Sequence, residues 1–214
     1  MPIARPPLPL ADYQRIFRVL KAVIDEAGAD TAHACILYSV AGAALVEQIY
    51  KKRCQPVAGA AFYALDDSAG TILSFCDQEE RHNNLSSAKG FHCWILCEGY
   101  IIDFMAPVFR ESLHAIGVKE NCSRKMFQKP LESMADSRLL MRTPGDFFLL
   151  PNVELTRQIL TEFHSHEANN ELLKLCAQWY KKPPRSMPSQ ISIQNNTGLT
   201  SLLTLGDLSL TGVW

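Results

Sequence analysis

The chain has no stretch approaching the ~18 uninterrupted apolar residues that a membrane span requires. It has no excess of charge: 21 Lys and Arg stand against 22 Asp and Glu, a formal net charge of -1. That balance argues against nucleic acid or an anionic membrane surface as a main partner. No internal repeat occurs. No Cys-x-x-Cys pair occurs among the seven cysteines at 35, 54, 76, 93, 97, 122 and 176. Neither a zinc spacing nor the disulfide framework of a short secreted chain is therefore indicated. The opening MPIARPPLPLADYQ carries prolines where a signal peptide would have its apolar centre. The expectation is a cytoplasmic protein with free thiols, no metal and no cofactor, of open oligomeric state.

What is present suffices for a substantial core. Of 214 residues, 47% are apolar and 20% charged, and a chain of this size buries roughly 70% of its unfolded surface. Residues 1–10 read as a proline-rich lead-in. Tyr13, Ile16, Phe17, Leu20, Val23, Ile24 and Ala27 recur at helical spacing, with Asp12 as cap and Gly28 as stop. A second helix over 34–51 is apolar or small all round from Cys35 to Val46, which predicts a helix enclosed by protein. Short aromatic and branched runs follow at Val57–Leu65, Thr71–Cys76, Phe91–Cys97 and Tyr100–Met105, with a polar loop over Asp77–Lys89. A helix followed by antiparallel strands is an α+β arrangement. Beyond Pro107, the spacing predicts a short strand at Lys125–Lys129 and a helix over 153–164 capped by Asn152. A last helix is expected from Asn169 or Asn170 to Trp179-Tyr180. Residues 185–214, rich in Ser, Thr, Asn and Gly, read as a loosely attached tail with one strand at Gln190–Ile193.

Two features carry chemistry. Asp30-Thr31 reads as a capping pair, which puts Cys35 in the first turn of the enclosed helix. Unpaired N–H groups and the positive dipole end favour thiolate there. The other feature is the hairpin FHCWILCEGYIIDFM. If Glu98-Gly99 is a two-residue turn, Cys97 pairs with Tyr100, and His92, Trp94, Asp103 and Met105 share one face. His92 and Asp103 are then diagonal neighbours within hydrogen-bond reach; a three-residue loop would separate them. Cys93 and Cys97 fall on the other face. A helix-start thiol beside an imidazole oriented by a carboxylate is a nucleophile, a base and an orienting group. The Cys35 N–H is a natural oxyanion donor, and Trp94 a cover for the imidazole.

At these residues the chain resembles the papain-like cysteine enzymes. It is closest to their transglutaminase-like and arylamine N-acetyltransferase-like branches, which use Cys, His and Asp in that chain order. The blocks AHACILYSVAGAAL, FHCW and IIDFMAP also look like an uncharacterised bacterial family of this superfamily. The likeness covers roughly residues 10–107 and implies a helix packed on an antiparallel sheet, with Cys35, His92 and Asp103 as triad. It implies one papain-like α+β domain over 11–182, with its core at 11–107 and additions over 108–182. Departures exist. Ile36 follows the cysteine where transglutaminases carry Trp, Ala32-His33-Ala34 replaces an Arg-Gly-Gly lead-in, and Ala29 stands where papain-type enzymes place an oxyanion Gln. Asp30, Thr31 or His33 are left as substitutes, and His33 and Trp94 as residues of the substrate cleft. The expected activity is hydrolysis or acyl transfer on a peptide, amide, thioester or ester through an acyl-enzyme. The alternative is a non-catalytic scaffold binding a peptide or small ligand. A redox-sensing role rests on cysteine number alone.

Overall fold

The computed structural model of the protein describes residues 5–28, 34–66, 70–118 and 122–214. It is an α+β fold of five α-helices and a six-stranded antiparallel sheet, with a separate two-stranded hairpin. Helix α1 (Leu10–Glu26) buries Tyr13, Ile16, Phe17, Leu20, Val23 and Ile24, the stripe its spacing announces. Its cap position is Pro9, and Asp12 falls instead in the first turn. Helix α2 (Cys35–Leu45) buries nearly every side chain and runs on into a π-helical turn, Val46–Tyr50. It packs on the sheet and is flanked by α1 and by α5 (Glu167–Trp179). An all-round apolar helix fits because protein surrounds it.

Strand β1 (Cys54–Ala64) is the spine of the sheet. Its first half pairs with β3 (His92–Cys97) and its second half with β2 (Ile72–Phe75), while β6 (Phe147–Pro151) lies along its other edge. Strand β4 (Tyr100–Asp103) follows β3, and β5 (Phe127–Pro130) closes that side. Pro56 is tolerated inside β1 because its missing N–H faces the edge beyond the reach of β6, which pairs only with Gly59–Tyr63. Glu98 and Gly99 both take positive φ, 48° and 83°. That is the two-residue turn on which the register depends, and Cys97 does pair with Tyr100.

The later chain is more ordered than its composition indicates. Helix α3 (Phe109–Ala115) and β6 have no counterpart in the sequence reading. Helix α4 (Val153–Ser165) begins at Asn152, whose side chain accepts from Leu155 N at 3.0 Å. The cap of α5 is His166, not Asn169 or Asn170; those two turn back, their amides donating to the carbonyls of Phe163 and His164. The lead-in is not free either. Leu8 is buried, and both its backbone groups are bonded to the Gln128 side-chain amide, at 2.9 and 2.8 Å.

The loosely attached tail is a correction. Residues 190–204 form a hairpin, β7 (Gln190–Gln194) and β8 (Thr200–Thr204), with Leu203 buried in the core. The following segment lies on α1, where Arg18 donates to Gly206 O and Leu210 N donates to Gln14. It then joins the sheet edge beside β5, with Met126 N bonded to Gly212 O at 2.9 Å and Trp214 N to Met126 O at 3.1 Å.

Gly59 sits where β1, β3 and β6 meet, and a Cβ there would come within 2.1 Å of Leu150 O and 2.9 Å of the Trp94 ring. Gly59→Ala is expected to lower stability by about 1–3 kcal/mol. The signature is a lower urea midpoint with an unchanged slope; a wild-type midpoint would show that the strands do not approach this closely.

Candidate active site

Cys35 is the first residue of α2. Ala34 is the cap, its carbonyl accepting from Tyr38 N at 3.1 Å, and no side chain among the described residues caps the helix. The Cys35 N–H therefore lies among the first-turn donors that have no intrahelical partner. The expected capping pair Asp30-Thr31, the position Ala29 and the cleft candidate His33 lie outside the described residues.

The hairpin register brings His92 to Asp103. Nε2 of His92 and Oδ2 of Asp103 are 2.7 Å apart, with side chains 0% and 1% exposed. Two further donors hold the carboxylate: Tyr63 Oη to Oδ2 and Met105 N to Oδ1, each at 2.9 Å. The Tyr13 hydroxyl donates to the Asp103 backbone carbonyl, tying α1 to the same point. With Nε2 taken, Nδ1 is the nitrogen left to face the thiol. It is buried and, among the described residues, makes no hydrogen bond of its own. The His92 ring stacks on Phe75, centroids 4.4 Å apart and planes 21° apart, with Tyr63 and Phe109 packed against it.

The electrostatics follow from this enclosure. The Cys35 thiol is lowered to about 5: a hydrogen bond with Cys93 favours its thiolate, burial opposes, and His92 adds to the lowering. Cys93 is raised in return, chiefly by that same bond. The imidazole beside Cys35 and the helix start decide which sulfur carries the charge, since both favour Cys35. His92 is pulled down by burial, but Asp103 and then Cys35 outweigh it and raise it to about 10. Tyr63, raised by burial and then by Asp103, remains a donor.

A cavity of about 290 Å³ opens at Cys35 and His92, walled by Phe75, Gly90, Phe91 and Met105. One wall belongs to the polar loop over 77–90. Asp77 organises it, accepting from Glu79 N at 2.9 Å and from the Ser87 hydroxyl. Cys35 itself is 6% exposed.

A family model described as "Protein of unknown function (DUF2026)" matches residues 9–214. The chain belongs to that family. No curated protein matches it. A crystal structure described as "The crystal structure of genomics APC5867" is 33% identical, with a TM-score of 0.85 over 100% of both chains. The fold of this DUF2026 member is thus shared with an experimentally determined relative.

The structure brings together Cys35, His92 and Asp103. It does not bring Trp94 to them. Trp94 shares a face with His92, but it lines a separate apolar groove with Val57, Leu96 and Ile101. Phe75, from the edge strand, covers the imidazole instead. Tyr63 and Cys93 are the site residues that sequence reasoning missed. Tyr63 is placed by pairing between strands distant in sequence. Cys93, on the far face of β3 from His92, meets Cys35 because the start of α2 lies over the end of that strand.

Two expectations follow. His92 rises on folding from its ordinary value near 6.5 to about 10, so its stabilising contribution is whole below ~6.5 and is lost as pH rises through about 10. Cys35 falls from 9.0 to about 5, so its contribution is whole above about 9 and is lost as pH falls through about 5. Iodoacetamide should therefore alkylate Cys35 with an apparent pKa near 5, and His92→Ala should move it upward; slow alkylation with an ordinary thiol profile would refute the pair. Tyr63→Phe removes a donor to a buried carboxylate and should cost about 1.5–3 kcal/mol in urea unfolding. An unchanged midpoint would show that Asp103 does not need it.

Proposed function

We propose that this protein is a papain-like, thiol-dependent hydrolase or acyltransferase acting on an amide, thioester or ester, with Cys35 as nucleophile, His92 as base and acid, and Asp103 as the orienting carboxylate. The supporting observation is the buried His92–Asp103 bond, which commits Nε2 and leaves Nδ1 for the thiol at a helix start.

In the first half-reaction the Cys35 sulfur attacks the acyl carbonyl and forms a carbon–sulfur bond. The bond to the leaving group breaks, and that group takes the proton held on His92 Nδ1. The Cys35 N–H donates to the oxyanion. In the second half-reaction water or an amine attacks the acyl-enzyme, gives its proton to Nδ1 and releases the thiolate. Asp103 stays ionised throughout, holding the tautomer and the charge of the ring. A reducing cytoplasm suits a chain whose seven cysteines are all free. Substrate enters from the cavity edged by β2 and the 77–90 loop.

The test is turnover of p-nitrophenyl acetate with an initial burst equal to the enzyme present. Cys35→Ala should abolish the burst, and Asp103→Asn should reduce the rate by about 10²–10⁴-fold. Wild-type turnover no faster than that of Cys35→Ala would remove the proposal and leave a ligand-binding scaffold.

A further inference from the structure

A second pair of cysteines lies at the other end of β3. Cys54 opens β1, Cys97 closes β3, and the register sets them directly opposite each other. Opposed residues on antiparallel strands come in two kinds, and the backbone shows which kind this is. Cys54 N donates to Glu47 Oε1 at 3.1 Å, away from β3. Ala58, four residues on, also turns from β3: its N–H donates to Thr156 Oγ1 at 2.9 Å, and its carbonyl accepts from Asn152 N at 2.8 Å. By the two-residue alternation, 54 and 97 form a pair that exchanges no backbone hydrogen bonds. Cys97 agrees, since a residue flanking a two-residue turn bonds its partner across that turn, here Tyr100.

Such pairs have Cα atoms about 4.5 Å apart and side chains drawn close. This falls inside the roughly 4.4–6.8 Å that a disulfide spans without backbone movement. The two thiols lie close enough that each shifts the other's titration, Cys54 upward and Cys97 downward. The ion pair of Lys52 with Glu98, at 2.9 Å, holds the adjoining ends of the two strands together. Cys54 is half-buried and Cys97 buried, so Cys54 is the sulfur a reagent meets first.

We infer that Cys54 and Cys97 are a redox-convertible dithiol, a modification site separate from Cys35 and oxidised by a small-molecule disulfide. Cys54 passes its proton to Cys97, the sulfur on which their contact favours the charge, and attacks one sulfur of the reagent; a mixed disulfide forms and one thiol leaves. Cys97 then gives up its proton and attacks the Cys54 sulfur; the protein disulfide forms and the second thiol leaves. Two protein thiols are oxidised and one reagent disulfide is reduced to two thiols. The product fastens the start of β1 to the end of β3, about 16 Å along the strand from His92. The inference holds whether or not Cys35 is a nucleophile.

The test uses the full chain and its Cys35→Ala variant, each treated with glutathione disulfide, acid-quenched, alkylated and peptide-mapped. The expected result in both is a reductant-sensitive link between the Cys54 and Cys97 peptides, about 2 Da lighter than the dithiol pair. The thermal midpoint should rise by roughly 5–15 °C. In Cys54→Ser, which changes a half-buried position, Cys97 should stay unmodified. The inference is overturned if Cys54 stops at the mixed disulfide, if Cys35 and Cys93 link while 54 and 97 remain free, or if Cys97 in Cys54→Ser pairs elsewhere.

Discussion

An imidazole and a carboxylate, both sealed from water, meet at 2.7 Å where α1, β1, β3 and β4 converge. Taking such groups out of water is costly unless each polar atom finds a partner. Asp103 recovers that cost through His92, Tyr63 and the Met105 N–H, while Tyr13 secures its backbone carbonyl. The side-chain partners come from three different elements, so satisfying this one residue, carboxylate and carbonyl together, fixes the relative placement of four elements. A slip of one residue in the β3–β4 pairing would move Asp103 to the other face and strand all of these donors.

The same enclosure raises the strength of every charge interaction near Cys35, because the local dielectric is low. Phe75, Tyr63 and Phe109 exclude water from the ring, and α2 presents its positive end to the sulfur. Cys93 contributes a thiol donor from the opposite side of the strand. The charge-separated pair is thus held by neighbours on three sides rather than by two side chains alone.

Much of this is local enough to be written in short stretches of sequence. Glu98-Gly99 demands a tight turn, which sets the hairpin parity, which in turn puts His92 and Asp103 on one face. The unbroken apolar run after Cys35 identifies an enclosed helix and its start. What depends on lateral packing was not legible. Parity put Trp94 beside His92, but a shared face says nothing about where an indole reaches, and this one passes over Gly59 into another groove. Tyr63 and Phe75 reach the site through pairings 40 and more residues from Asp103 or across an edge strand. The tail misled through its composition. Its few charges and many hydroxyls suggest looseness, whereas Leu203, Leu205, Leu208 and Leu210 form an apolar series that packs on the core.

The seating of that tail on α1 bears on how the chain reaches its native state. Gln14 and Arg18 wait for partners 196 and 188 residues further on. During synthesis α1 emerges with this flank uncovered, and the flank stays open until the segments 188 and 196 residues further on have been made. Contacts of such high sequence separation form slowly, since the intervening loop entropy is lost before the contact rewards it. The helix thus exists long before the contacts that finish it can form.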